Sequence, residues 1–278
     1  MSYEFQTLSV DSQDALATVS IKNGDINLLD APLIKDLYKC CKQISEDNTI
    51  KVVIFQSANP EFFVAHADVN MIMAAAQTPQ PDGQTPSMLQ SLYELIRNLP
   101  QVTIGKIAGV ARGGGSELLL AMDMRFAAKN KARLGQPEVA LGLIAGAGGC
   151  TRLPKLMGRG RAMEVLLGCE DFDAELAERY GYINRAIDDS ELDNFVDTLG
   201  KRIAHYPAHA LQATKALVNE MEQIQPQDFG REYGQFYATA TKNGMAERMQ
   251  QALDNGLQTF EKEVDDLAKV TDPLPYMN

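Results

Sequence analysis

The sequence predicts an α/β chain in which strands and helices alternate, followed by an all-helical C-terminal region, and three observations predict it. Short apolar runs of strand length recur through the first two thirds, and "IKVVIF" is too continuous for a strand with one wet face. Stretches with helical spacing separate these runs, an alternation that favours parallel pairing through crossovers. From Ser190 onward the strand pattern stops.

In chain order, "ALATVSI" and "IKVVIF" read as strands, with the helix "APLIKDLYKCCKQI" between them. A second helix, "SMLQSLYELIRNL", precedes the strand "TIGKIAGVA", and "MRFAA" follows in the same style. The Pro- and Gln-rich stretch "AAAQTPQPDGQTPS" has no apolar period and reads as a mobile loop. "SELDNFVDTLGKRIAHYP" opens with Ser190 in an N-cap position and sets Leu192, Phe195, Val196, Leu199 and Ile203 on one face. The last stretch, "GMAERMQQALDNGLQTFEKEVDDLAKV", reads as one helix with the stripe Met245, Met249, Leu253, Leu257, Phe260, Val264 and Leu267. Gly256 lies inside it at a propensity cost of about 1 kcal/mol, so packing must hold that helix. The expected division is a core of residues 1–200 and a helical region of residues 201–278 that caps the core or docks on another subunit.

With 26 basic against 37 acidic residues and a formal net charge of -11, the chain repels nucleic acid and anionic lipid. Its four cysteines, at 40, 41, 150 and 169, form no CxxC pair and fit free thiols in a reducing compartment. The start "MSYEFQTLSV" lacks the basic and apolar regions of a secretory signal, and no apolar run approaches the ~18 residues of a membrane span. The expectation is a soluble cytoplasmic protein with neither nucleic acid nor membrane as partner.

Gly113, Gly114 and Gly115 follow a strand and precede a helix expected from about Ser116. Backbone N–H groups at such a helix start are free to meet a ligand, either a phosphate or a carbonyl oxygen gaining charge. The pattern is neither a P-loop nor GxGxxG, and a tight strand–helix turn is the alternative. "SANPEFFVAHADVNMI" also lies beyond a strand's C-terminal end, where open α/β sheets place ligands. Glu117 and Glu138 stand among apolar residues, a setting that raises carboxyl pKa values and suits proton exchange near neutrality. Ser116 reads as a helix cap, since Leu118 breaks a GxSxG elbow. His205 and His209 are four apart, but Pro207 lies between them and no metal site is expected.

The stretches "FFVAHAD", "GVARGGGSELLLAMDMRFAA", "LGQPEVALGLIAGAGGCTRLPKLMG" and "RAMEVLLGCEDFDAELAERYGYINRAI" resemble the crotonase, or enoyl-CoA hydratase/isomerase, superfamily over about residues 5–220, with the tail matching loosely. The resemblance implies an α/β spiral of ββα units with a helical C-terminal region. It also implies homotrimers or dimers of trimers, and acyl-CoA thioesters as substrates. It places two oxyanion donors on the backbone N–H groups of Ala67 and Gly114, and acid–base chemistry on Glu117 and Glu138. Substrate-binding positions by the same resemblance are Asp25, Ile26, Ala65, His66, Asp68, Val69, Gly113, Pro137 and Lys215, although a surface role for Lys215 stays open. The implied reaction is addition of water to a 2-trans-enoyl-CoA, with Glu138 supplying a proton to C2 and no metal or cofactor beyond the CoA of the substrate. Isomerisation or another acyl-CoA reaction on the same oxyanion hole is the second reading, and CoA-ester binding without catalysis the third.

Departures from the family pattern bear on the substrate more than on the fold. The usual AGAD loop reads Ala65, His66, Ala67, Asp68, and Arg112 stands in place of a small or aliphatic residue. Ala145 replaces a proline, and Gln101 and Val102 replace a Lys-Pro pair. His66 is expected to fill space or to contact the ligand without transferring protons.

Overall fold

A computed structural model of the chain describes residues 4–78, 81–265 and 267–271. Strands β1 (Leu8–Gln13) and β2 (Leu16–Ile21) form an antiparallel hairpin, and helix α1 (Ala31–Glu46) follows. The hairpin turn holds Asp14 at φ 51° and Ala15 at φ 66°, the two positive angles of a type I′ turn. No Asn-Gly signal marks it, and β1 was not expected. Asp30 caps α1 by accepting from Leu33 N at 2.9 Å.

Three strand–strand–helix units come next. The first is β3 (Val52–Ser57), β4 (Phe62–Val64), α2 (Val69–Ala75) and α3 (Met88–Arg97). The second is β5 (Val102–Ile107), β6 (Val110–Arg112) and α4 (Gly114–Leu120). The third is β7 (Met124–Ala128), β8 (Arg133–Gly135), a 3-10 turn (Glu138–Leu141), α5 (Gly149–Met157) and α6 (Arg159–Gly168). β9 (Phe172–Asp173), α7 (Ala174–Tyr180) and β10 (Arg185–Ile187) complete the sheets. The first strand of each unit enters a six-stranded sheet, ordered β1-β2-β3-β5-β7-β10, and the second enters a four-stranded sheet, ordered β4-β6-β8-β9. This is the expected ββα spiral, and its repeating unit divides "TIGKIAGVA" between the two sheets.

β3 shows why "IKVVIF" is continuous. Val53 and Phe55 face the main core with α1, α3 and α4, while Val52 and Ile54 face a second core. That second core is closed by α8 (Leu192–Ala204), through Leu192 and Val196. The expected division at residue 200 therefore falls inside a helix that belongs to the sheet. Ser190 is not its cap: Glu191 holds that position without a side-chain hydrogen bond.

Beyond α8 come α9 (Ala208–Met221), α10 (Pro226–Ala240), α11 (Met245–Asp254), α12 (Phe260–Val264) and α13 (Ala268–Thr271). The single long helix expected from residue 244 is broken, because Gly256 (φ 104°) and Gln258 (φ 68°) reverse the chain. The break changes the helical phase. Met245, Met249, Leu257 and Leu267 stay buried, Phe260 and Val264 turn outward, and Glu263 takes the inside. Gly256→Ala places a methyl group 2.7 Å from Lys262 Cγ at a φ that L-residues rarely adopt. It is expected to cost about 1–3 kcal/mol, measured as a lower denaturant midpoint with the slope unchanged.

Residues 79 and 80 of the expected mobile loop lie outside the described residues. On either side, Tyr237 Oη donates to the Thr78 carbonyl, and Asp82 accepts from Gln84 N and Thr85 N, each at 2.8 Å. The described parts of that loop are thus held by specific bonds.

Candidate active site

Residues 65–68 run beside residues 26–29. Ala65 N donates to Ile26 O (3.1 Å), Leu29 N to His66 O (2.9 Å) and Asp68 N to Leu29 O (3.1 Å). This parallel bridge pairs Leu29 with Ala67 but uses only the neighbours of Ala67, so the Ala67 N–H faces the other way. There it meets α4, which starts at Gly114, two residues before the expected start. A methyl group on Gly114 would sit 3.3 Å from Ala67 Cβ and 3.6 Å from Ala67 N. Among the described residues neither N–H meets a protein acceptor. Two donors thus converge at the positive end of a helix, an arrangement suited to an oxygen gaining negative charge. Gly113, at φ 47°, makes the turn that leads into this helix start. Ser116 lies inside α4 with its hydroxyl 2.6 Å from Tyr182 Oη, so it is neither the cap nor a free nucleophile.

Glu117, on the first turn of α4, is buried. Its Oε1 accepts from Ala147 N and Gly149 N, both at 2.8 Å, so the glycine-rich turn after Leu143 fixes its carboxylate. Glu138 opens the 3-10 turn behind Pro137, and its Oε1 lies 2.7 Å from where a Gly113 methyl would be. Glu138 Oε2 is buried and has no hydrogen-bond partner, a costly state that a substrate or water can relieve. Burial pushes the Glu138 carboxyl up to about 7. Burial, and after it the charge of Glu138, also raises Glu117, against the pull of its two N–H donors. Two such neighbours share a proton. The two N–H donors favour the charged form of Glu117 locally, while Glu138 Oε2 has no such donor.

A third buried carboxylate, Glu232 of α10, went unnoticed in the sequence. It accepts from Gly148 N (2.5 Å) and Thr151 Oγ1 (2.6 Å), so Glu117 and Glu232 together hold three successive N–H groups of one turn. On an amphipathic helix it reads as a surface acid, and only its place one turn from Phe229 hinted otherwise.

His66 is tied into the protein through both ring nitrogens. Its ring is buried, with Nδ1 2.8 Å from the Ala67 carbonyl and Nε2 2.8 Å from Glu263 Oε1. Arg112, fully buried, donates to Asp171 Oδ1 and Oδ2 (2.7 and 2.6 Å), to the Glu263 carbonyl (2.7 Å) and to Glu263 Oε2 (3.2 Å). Gln258, beside the helix break, accepts from Val69 N (2.7 Å) and donates to Asp68 Oδ1 (3.2 Å). The C-terminal segment thereby folds over the loop that carries Ala67. Nothing in the sequence marked Glu263 or Gln258. Arg112 did carry a signal, since a cation in a buried strand requires a counter-charge.

The structure brings Gly113 against Glu138 and His66, and Gly114 against Ala67, with Glu117 on the first turn of α4; Ala65, Asp68, Val69 and Pro137 adjoin these residues in the chain, Ala65 within a core cluster with Ile26 and Val69 within that of Leu141. Ile26 is core, and Asp25 accepts from Asn59 Nδ2 (2.7 Å) at the edge of a cavity of about 460 Å³ that Phe260 also lines. Lys215 is not brought to this site. It pairs with Asp123 (2.8 Å) and donates to Gln101 O (2.8 Å) in a separate cavity of about 630 Å³ beside Arg97 and Arg152. His205 ends α8 while His209 lies on α9, and no cluster of three or more His, Cys, Asp or Glu able to hold a metal occurs among the described residues. Nor is any described helix long and apolar enough to cross a membrane.

Comparison with known proteins shows the family. The family model for enoyl-CoA hydratase/isomerase matches residues 11–263. A crotonyl-CoA hydratase of Syntrophomonas wolfei is 30% identical over 222 residues, covering 79% of this chain and 83% of that protein. The fatty acid oxidation complex subunit alpha of Aliivibrio fischeri is 35% identical over 179 residues, or 64% of this chain, which spans 26% of that subunit's length. Among solved structures, a Streptomyces avermitilis protein provisionally described as an enoyl-CoA hydratase superposes with a TM-score of 0.89 at 36% identity, over 97% of this chain and 98% of that one. An enoyl-CoA hydratase from Bacillus anthracis gives 0.71 at 29% identity, over 90% and 96%. The chain therefore belongs to the enoyl-CoA hydratase/isomerase family, within the crotonase superfamily.

Proposed function

We propose that the protein hydrates 2-trans-enoyl-CoA thioesters. The observation that carries this reading is the buried, unpartnered Oε2 of Glu138, set near the anchored carboxylate of Glu117 and beside the unoccupied N–H groups of Ala67 and Gly114. In this reading the thioester oxygen accepts from both N–H groups. Glu117 takes a proton from water as the water oxygen bonds to C3, the C2–C3 π electrons move toward the carbonyl, and the charge collects on the oxygen that the two donors hold. Glu138 then gives its proton to C2. The proton taken up by Glu117 then passes to Glu138 and restores the pair, so the net change is one water added across C2–C3, and CoA enters as part of the substrate.

Loss of enone absorbance on mixing the protein with crotonyl-CoA tests the reading. Turnover of a 3-enoyl-CoA alone would replace it with isomerisation, and tight binding without either reaction with a role in holding CoA esters. The α9 face supports self-association: no residue of α9 is buried, and Leu217, Val218 and Met221 are exposed. We assign this face to contact with another copy in a trimer or dimer of trimers. The four free cysteines support a reducing compartment such as the cytoplasm.

A further inference from the structure

His66 and Arg112, the two departures from the family pattern nearest the site, end on one carboxylate, that of Glu263. Glu263 Oε1 accepts from His66 Nε2 (2.8 Å) and Gln258 N (2.9 Å), and Oε2 accepts from Arg112 Nη1 (3.2 Å). Arg112 is held from its other side by Asp171. Both nitrogens of His66 therefore face acceptors, the Ala67 carbonyl and a carboxylate, and each contact needs a proton on the ring. The contacts favour the doubly protonated ring, in which two cations balance two anions in the cluster.

Filling space does not account for this arrangement. Burying four charges carries a large desolvation cost, and a glycine at position 66 would leave the backbone bonds of the loop in place. What the ring adds is a hold on the Ala67 carbonyl, which leaves the chain on the same side as the N–H of that residue. Its other nitrogen is held by α12, a segment that reaches the site only because the chain reverses at Gly256 and Gln258. The preceding helix is tied to the Glu138 turn as well, through Arg248 to the Ala140 carbonyl (2.7 Å) and through Met245 packed on Leu141 and Leu143.

We propose that His66 is a positioning residue: gripping the Ala67 carbonyl and Glu263 together, it aims the Ala67 N–H at the thioester oxygen, and it does so only while residues 256–265 are seated. Glu263, steadied by Arg112 and Asp171, is the second positioning residue. The inference rests on the reading of Ala67 and Gly114 as donors to that oxygen.

The charged groups facing His66 are Glu263 from α12, Arg112 from β6 and Glu138 from the 3-10 turn. Burial lowers the imidazole pKa, but the charge and hydrogen bond of Glu263 outweigh it, and the net shift is upward from 6.5. A raised value means that the grip is complete below the ordinary histidine range and is lost as pH rises through the folded-state value.

The test compares wild type, Glu263→Gln and His66→Ala by two measurements. Infrared spectroscopy of bound butyryl-CoA labelled with 13C at its carbonyl reads the oxyanion donors without turnover, because this saturated thioester cannot be hydrated. Kinetics with crotonyl-CoA across pH give kcat and KM. The wild type should shift the carbonyl stretch to lower frequency than in water. Both variants should bind butyryl-CoA yet lose part of that shift, with kcat down about tenfold or more and KM changed less than about threefold. In Glu263→Gln the part of the carbonyl shift that remains should be lost at lower pH than in the wild type. Folded variants with the full carbonyl shift and normal kcat would overturn the proposal and leave His66 a structural residue. A wild type with no carbonyl shift overturns the reading of Ala67 and Gly114 as well, and that failure is recognised because it occurs without any substitution. Should neither variant fold, the wild type decides: the carbonyl shift must weaken as pH rises above the ordinary histidine range, and a shift that stays constant up to the pH at which the fold is lost overturns the proposal.

Discussion

Glu138→Gln is expected to lower kcat for crotonyl-CoA hydration by about 10²- to 10⁴-fold while leaving butyryl-CoA affinity within a few fold. The amide is nearly isosteric and fits the same slot against Gly113, but it cannot give a proton to C2. The same substitution should change stability in a pH-dependent way. Glu138 rises from the ordinary 4.5 to about 7 because of burial, so in the folded chain it binds protons more tightly than in the unfolded one. Its contribution is fully present below pH 4.5 and is lost as pH rises through about 7. The neutral amide removes that loss. Denaturant unfolding at pH 8 should therefore show Glu138→Gln at least as stable as wild type, with the difference shrinking toward pH 5. Retention of more than about a tenth of wild-type kcat would remove Glu138 from the proton path, and a variant destabilised at pH 8 would mean that its carboxylate is paired by something other than substrate or water.

The parts of this site that the sequence disclosed are those built from local pattern. Alternating apolar runs located the strands, a glycine triplet before a helix suggested free N–H groups among which the family resemblance picked out Gly114, and two acids in apolar surroundings stood out as Glu117 and Glu138. What stayed hidden depends on contacts distant in the chain. Glu263 lies 197 positions from His66, and no periodicity links them. Helical spacing even pointed the wrong way, since it put Val264 and Phe260 inside, whereas the chain reverses at Gln258 and buries Glu263. Glutamine is an unusual choice for positive φ, and only the neighbouring Gly256 warned of a break. The hairpin at Asp14 and Ala15 was missed for the same reason, an alanine in a left-handed turn that residue preference disfavours.

Lys215 is a different case. Its place in "ALQATKALV" resembled a residue that reaches toward substrate, but its ammonium is drawn inward by Asp123 and the Gln101 carbonyl. Gln101 itself occupies part of the missing Lys-Pro pair, and its side chain donates to Ile44 O at 2.8 Å. That departure thus belongs to the packing of α1 and α9 on β5 and has no direct bearing on the carboxylate pair.

Gly114→Pro is expected to reduce kcat by about 10²- to 10³-fold, the loss that follows removal of one oxyanion donor. The position makes this substitution unusually clean. Gly114 is the first residue of α4, where a helix has no internal use for the N–H and proline is readily accommodated. Gly113 before it, at φ 47° and ψ -126°, has no Cβ to clash with the proline ring. The remaining concern is bulk, because a Cβ at position 114 lies 2.9 Å from Leu29 Cδ2 and 3.3 Å from Ala67 Cβ. Gly114→Ala carries that bulk and keeps the donor, so it serves as the reference. If the Ala67 and Gly114 N–H groups share the developing charge, the proline variant should fall well below the alanine variant in kcat, with similar KM and with circular dichroism unchanged. Equal loss in the two would assign the effect to crowding against Leu29. A folded proline variant with wild-type turnover would show that the thioester oxygen takes its hydrogen bonds elsewhere, and the pairing of Ala67 with the start of α4 would then be a matter of packing alone.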